Sequence, residues 1–182
     1  MSPATGRWLE VGVGTGRFAA ALGVTDGIDP CDSMLAMAAQ RGVRTVKAVA
    51  ESLPYADRRF DGVLVTTALC FLAVPEDALK ECHRVLKPTG RLVVGLIPAD
   101  SPWGRLYSQK AAQGHSIYST ATFYEPVETI ALAERAGFDF RNAYSCLLAP
   151  PETFDGAAQP RKGIAPDAGF VAMRFTKRLS GD

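Results

Sequence analysis

The sequence predicts an α/β fold: a doubly wound, Rossmann-like, seven-stranded and mostly parallel sheet with an antiparallel hairpin at its C-terminal edge. Three observations carry this expectation. Apolar residues at Trp8, Leu9, Val11 and Val13 run into glycines at 12, 14 and 16; short apolar runs then alternate with helical spacings as far as residue 98; and two late segments, 138–147 and 169–176, alternate like paired edge strands.

With 182 residues, 47% hydrophobic and 21% charged, the chain is long enough for one domain with a full core. That domain divides into a first part at 7–98, an inserted helix and loop at 99–137, and the closing hairpin at 138–182. A formal charge of +1 supplies no basic stripe, so a nucleic-acid partner is not expected. Cysteines at 31, 70, 82 and 146 form no C-x-x-C pair and no ligand spacing with His83 or His115. Neither a metal site nor a disulfide framework is indicated, which suits a reducing, cytoplasmic compartment. Met1 to Gly6 is polar and unlike a signal sequence, and the longest nearly apolar run, Gly62 to Val74, is too short to cross a membrane.

The first strand ends where Gly12, Gly14 and Gly16 turn the backbone into a helix at Arg17–Leu22. A ligand can lie against such a turn, and the free N–H groups at the helix start favour a negative group. Gly14, Gly16 and Ala19 also satisfy the dinucleotide pattern, so a nicotinamide-dependent oxidoreductase is one reading. Glu10 argues against it: a carboxylate at the carboxyl end of the strand repels a pyrophosphate and suits the sulfonium and ammonium of S-adenosylmethionine. The arrangement acid-x-Gly-x-Gly-x-Gly resembles motif I of the class I S-adenosylmethionine-dependent methyltransferases. A glycine turn beside a surface acid is the plainer alternative.

Val24 to Ile28 is the second strand, ending in Asp29 and Pro30. An acid at that tip can accept hydrogen bonds from both ribose hydroxyls, or else cap the helix Ser33–Arg41. Met34, one turn into that helix, is placed either against an adenine or in the core. Val43 to Val49 is the third strand. The segment that follows, AESLPYADRRFDGVLVTT, resembles the ubiquinone-biosynthesis-like, type 11 small-molecule methyltransferases. The resemblance implies that Ala50 and Glu51 flank the adenine, a backbone N–H reaching a ring nitrogen. Many relatives carry an Asp where this chain has Val49; Glu51 is the substitute, unless it caps the turn before Pro54.

Phe60 to Thr67 is the fourth strand. Ligands gather at the carboxyl ends of parallel strands, so Thr67, Ala68, Leu69 and Cys70 are expected near the sulfonium. Pro75 to Leu86 has helical spacing, with His83 packed or solvated on it, and KPTG turns the chain into a fifth strand at Arg91–Ile97. RVLKPTGRLVVG resembles the family's R-V-L-K-P-G-G-x-L motif, with Thr89 in place of its first glycine.

From Pro98 the chain builds an inserted helix at 101–114, a loop rich in His and Tyr, and a helix at Pro126–Ala136 stopped by Gly137. Trp103, Tyr107, His115, Tyr118, Phe123 and Tyr124 line either an acceptor pocket or a packed lid. His115 and Tyr118 are the acceptor-side candidates, His115 as base or ligand. The connection PPETFDGAAQPRKGIAPDA is long enough to fold over that site or to pack against another subunit in a homodimer. The first strand begins so near Met1 that the helical cover usual in this class is expected to be absent or truncated, which leaves open whether the chain closes its own site.

The implied activity is methyl transfer from S-adenosylmethionine to a small-molecule acceptor, leaving S-adenosylhomocysteine. In-line displacement needs alignment and exclusion of water more than a catalytic triad. A cofactor-fold module that binds or assembles without chemistry is the other alternative.

Overall fold

A computed structural model describes residues 5–156 and 159–178. Expectations attached to residues 1–4, to 157–158 of the long connection, and to 179–182 at the end of the closing hairpin lie outside the described residues.

The elements follow one another as β1 (Trp8–Val11), α1 (Arg17–Leu22), β2 (Asp26–Asp29), α2 (Asp32–Gln40), β3 (Arg44–Lys47), β4 (Phe60–Thr66), α3 (Pro75–Val85), β5 (Leu86–Leu96), α4 (Pro102–Ala112), α5 (Pro126–Arg135), β6 (Phe138–Cys146), β7 (Arg161–Lys162) and β8 (Phe170–Lys177). They build one eight-stranded sheet in the order β3-β2-β1-β4-β5-β8-β6-β7. β1 to β5 are parallel, and β8 runs antiparallel between β5 and β6. The strand order reverses direction between β1 and β4, which opens a crevice at their carboxyl ends.

Alternation along the central strands divides the core between the two faces of the sheet. Leu9, Val11, Val63, Leu92, Val94, Met173 and Phe175 are buried in the larger cluster with residues of α3 and α5; Val13, Ala19, Leu35, Ala38 and Leu64 form the smaller one with α1 and α2. Trp8 lies across Gly62, where any β-carbon would come within 2.3 Å of the indole, so β1 and β4 can pair this closely only around a glycine.

Two features differ from expectation. The eighth strand is the two-residue β7, recruited from the long connection by pairing with Tyr144 and Ser145. The second is at KPTG, which does not turn into a new strand. β5 already begins at Leu86, and residues 87–90 bulge out opposite Asp61, because pairing passes from Phe60–Leu86 directly to Gly62–Arg91. The bulge sets the Lys87 ammonium on the Asp61 carboxylate at 2.7 Å.

At the opposite end of the sheet from the crevice, Asp26 is 3% exposed and holds Arg7 at 2.6 Å and Arg44 at 2.7 Å. Burial pushes its carboxyl up, but hydrogen bonds from Arg7, Arg44 and Thr25 outweigh that and hold it at about 2. Asp26→Asn removes the charge both guanidiniums face, and equilibrium denaturation should show a loss of about 3 kcal/mol at pH 7. A depressed carboxyl stabilises above its unfolded value, so the difference between wild type and variant should vanish as pH falls from about 4 to about 2.

Candidate functional site

The three glycines of the first turn have positive φ, yet they do different work. A β-carbon on Gly12 would meet that of Ala68 at 2.4 Å, and one on Gly16 would meet Ala38 at 2.8 Å. On Gly14 a β-carbon would meet nothing within 4 Å, so of the three it alone leaves room for a ligand against the backbone. The other two let neighbouring elements close in.

Glu10 is not the surface acid that its place in the motif suggests. It is 1% exposed, beneath the start of α1, and its Oε2 has no hydrogen-bond partner. Burial pushes the carboxyl up to about 8, against the lowering effect of the Ala19 N–H. In the ligand-free protein it is therefore mainly protonated at neutral pH, and repulsion of a pyrophosphate by a standing anion is not the operative effect. An unpartnered buried oxygen at the end of β1 suits a cationic group instead.

Asp29, at the tip of β2, accepts from the Gly14 N–H at 3.0 Å through Oδ2 and from the Cys31 N–H at 2.9 Å through Oδ1. These bonds fix the carboxylate beside the glycine turn, and each oxygen keeps a lone pair for a hydroxyl. Pro30 is exposed, and Met34 is half-buried in the first turn of α2. Thr15 is steadied by Arg41, whose Nη1 donates to its carbonyl at 2.9 Å.

Ala50 is buried. Glu51 caps a chain end, though not the one before Pro54: its Oε1 accepts from the N–H groups of Ala73 and Val74, at 3.0 and 3.2 Å, leading into α3. The loop beyond it is held by Arg84, which donates to the carbonyls of Leu53 and Tyr55 and pairs with Glu81 and Asp57. The sequence motif contains Arg84 without giving it a task; its three-residue spacing from Glu81 on one helix face is the available signal.

At the end of β4, Thr67 adopts φ 53°, an unusual conformation for a β-branched residue, and its N–H donates to the Gly95 carbonyl at 2.8 Å. Thr67, Leu69, Cys70, Leu96, Phe123 and Tyr124 line an uncharged cleft, with Ala68 buried against Gly12. Burial pushes the Cys70 thiol up to about 11, which argues against a nucleophile. The inserted segment is tied here: the Thr122 N–H donates to the Cys70 carbonyl at 2.8 Å.

Above the cleft the rings of His115 and Tyr118 lie 4.7 Å apart, Tyr118 and Tyr107 4.8 Å, and Tyr107 and Phe123 6.4 Å. Burial and the neighbouring Tyr107 and Cys70 raise the Tyr118 phenol, keeping it a hydrogen-bond donor at neutral pH. His115 is exposed, and its Nδ1 accepts from the Ile117 N–H at 3.3 Å, which in the neutral ring assigns the proton to Nε2. That tautomer makes the free nitrogen a donor rather than a base. Trp103 is drawn elsewhere, donating to the Ala149 carbonyl at 3.0 Å and packing edge-on against Phe154. His83 lies away from the site, edge-on to Phe138. Among the described residues no group of acids, His and Cys could hold a metal ion, and no helix is long and apolar enough to cross a membrane.

Residues 9–94 match the model of a methyltransferase-domain family. An uncharacterised protein of Mycobacterium tuberculosis is 41% identical over 167 residues, 91% of this chain, and the chain spans only 58% of that relative's length. A ubiquinone/menaquinone biosynthesis C-methyltransferase of Ectopseudomonas mendocina is 39% identical, over 96% of this chain and 69% of its own. Among solved structures, an S-adenosylmethionine-dependent methyltransferase of Thermotoga maritima, described as a possible histamine N-methyltransferase, superposes with a TM-score of 0.89 at 37% identity, covering 96% of this chain and 83% of the other.

Burying Glu10 sets a stability test. Its carboxyl is held at about 8 in the fold against 4.5 as the ordinary value, so the folded state binds the extra proton and stability falls as pH rises between them. At about 1.4 kcal/mol per pH unit, Glu10→Gln should stabilise the ligand-free protein by roughly 3 kcal/mol or more at pH 8 and by little near pH 4.5. Thermal melts across that range read the difference.

Proposed function

This chain belongs to the class I S-adenosylmethionine-dependent methyltransferases of type 11, and on that premise we propose that it transfers a methyl group to a small, flat-ring acceptor. The observation that carries the reading is the unpartnered Oε2 of Glu10 beneath a turn whose middle glycine, Gly14, faces open space. Those features fit the family's donor, with Glu10 toward its ammonium and Asp29 toward its ribose hydroxyls. Gly12 and Gly16 shape the turn; Pro30, Met34, Ala50 and Glu51 border the adenine side; Thr67 to Cys70 border the methyl end. When bound, the donor supplies an electrophilic methyl on a sulfonium.

What this chain's residues contribute is alignment and dryness. The uncharged lining around Thr67, Leu96 and Phe123 excludes water, and the rings of Tyr107, Tyr118 and Phe123 offer faces for an aromatic acceptor. Tyr118 is suited to donate to an acceptor heteroatom and His115 to contact it through Nε2. The names of two relatives, a ubiquinone/menaquinone biosynthesis C-methyltransferase and a possible histamine N-methyltransferase, both refer to planar-ring compounds, which supports the same class.

Thermal shift with S-adenosylmethionine, S-adenosylhomocysteine, NAD and FAD tests the donor side. Melting should rise with the first two only, and Asp29→Ala should largely remove the rise; a larger shift with NAD would overturn the reading. On the acceptor side, Tyr118→Phe should lower kcat/KM about tenfold on a phenol or imidazole acceptor while leaving the S-adenosylhomocysteine shift unchanged. Donor binding with no transfer to any ring acceptor would favour a binding module.

A further inference from the structure

Glu10 raises a question of charge that the donor reading leaves open. Its carboxyl is 1% exposed, one oxygen is unpartnered, and no lysine or arginine is hydrogen-bonded to it among the described residues. The ionisable groups on the elements packed against β1 are committed elsewhere. On β2, Asp26 is held by Arg7 and Arg44, and Asp29 by the Gly14 and Cys31 N–H groups. On β4, Asp61 is paired with Lys87; Arg17 of α1 is exposed; and Cys70 follows the end of β4. A donor that brings an ammonium to this oxygen would meet a neutral acid.

We propose that taking up the donor drives one proton off Glu10, so that donor affinity is set by pH across the neutral range. This rests on the donor reading above. In the step, the O–H bond of the Glu10 carboxyl breaks, the proton leaves to solvent, and the electron pair stays on the carboxylate, which pairs with the incoming ammonium. The raised value of about 8 agrees with a carboxyl that waits in its acid form. Burial of an acid with no cation of its own then serves a purpose: the ligand supplies the missing partner, and affinity for donor and product alike strengthens as pH rises. Histidine is the residue type that ordinarily titrates in that range. The chain's two, His83 and His115, lie on α3 and on the inserted loop, outside the turn.

Calorimetry with S-adenosylhomocysteine at pH 7, in buffers of different ionisation enthalpy, counts the proton directly. About one should be released by the wild type, and the dissociation constant should fall by about tenfold per pH unit between 6 and 7.5 and level off above 8. Glu10→Gln, which should melt higher than the wild type at pH 8 and so reports its own folding, should bind with no release and a flat pH profile. 5′-Methylthioadenosine, which lacks the ammonium, should bind the wild type without releasing a proton. Binding of S-adenosylhomocysteine without release overturns the coupling while leaving the donor reading intact. Release that survives in Glu10→Gln overturns it too, by assigning the proton to the ligand's own ammonium or to a histidine. Absence of binding at every pH overturns the donor reading, and the coupling with it.

Discussion

Close approach of backbones at Gly12 and Gly16 is the constraint on which the rest of the crevice depends. Without β-carbons at these positions, Ala68 settles against the turn from the β4 side and Ala38 from the α2 side. The turn is gripped between two elements far apart in sequence at the place where β1 hands over to α1. Packing of this density is intolerant of even one added methyl group, which makes the turn rigid at the cost of any freedom in its sequence.

Around that grip, charged side chains hold the strand-end loops by their backbones. Arg84 binds the carbonyls of Leu53 and Tyr55, Arg41 that of Thr15, and Glu51 the amides of Ala73 and Val74. Loops cannot bury enough apolar surface to hold themselves, and charge-assisted bonds to the main chain are stronger than neutral ones. Exposed ion pairs of the same chain, such as Lys80 with Glu76, add little beside them.

The frame is legible in the residues because local signals and tertiary demands agree there. The strand at Trp8–Val11, the helix at Arg17–Leu22, Asp29 at its strand tip and the closing hairpin all follow from periodicity and glycine placement. What is not legible depends on partners remote in sequence. KPTG carries every mark of a turn, yet pairing of Leu86 with Phe60 pulls it into a bulge. Glu10 reads as an anion at a mouth, and only the packing of α1 over it shows an acid kept dry. Glu51 reads as a neighbour of an adenine or a local cap, and only the fold shows its oxygen reaching amides more than twenty residues away. Of the candidate site, the glycine turn and the acid at the tip of β2 are legible residue by residue; the aromatic cluster is legible only as a group, since ring contacts between α4 and its following loop leave no spacing rule behind.

The segment from Ala99 to Glu125 is fastened to the body of the fold by hydrogen bonds and by aromatic packing near its two ends. The Thr122 amide is tied to Cys70 and the Trp103 indole to Ala149; Trp103 also packs on Gly169 and Phe154, Tyr124 packs against the larger core, and the Ala99 amide on Tyr124 closes the neck. A replacement for this stretch would have to keep Trp103 and Tyr124 as anchors to leave the scaffold undisturbed. On the function proposed above, the loop between those anchors is where evolution, or a protein engineer, could change the acceptor while the glycine turn stays as it is.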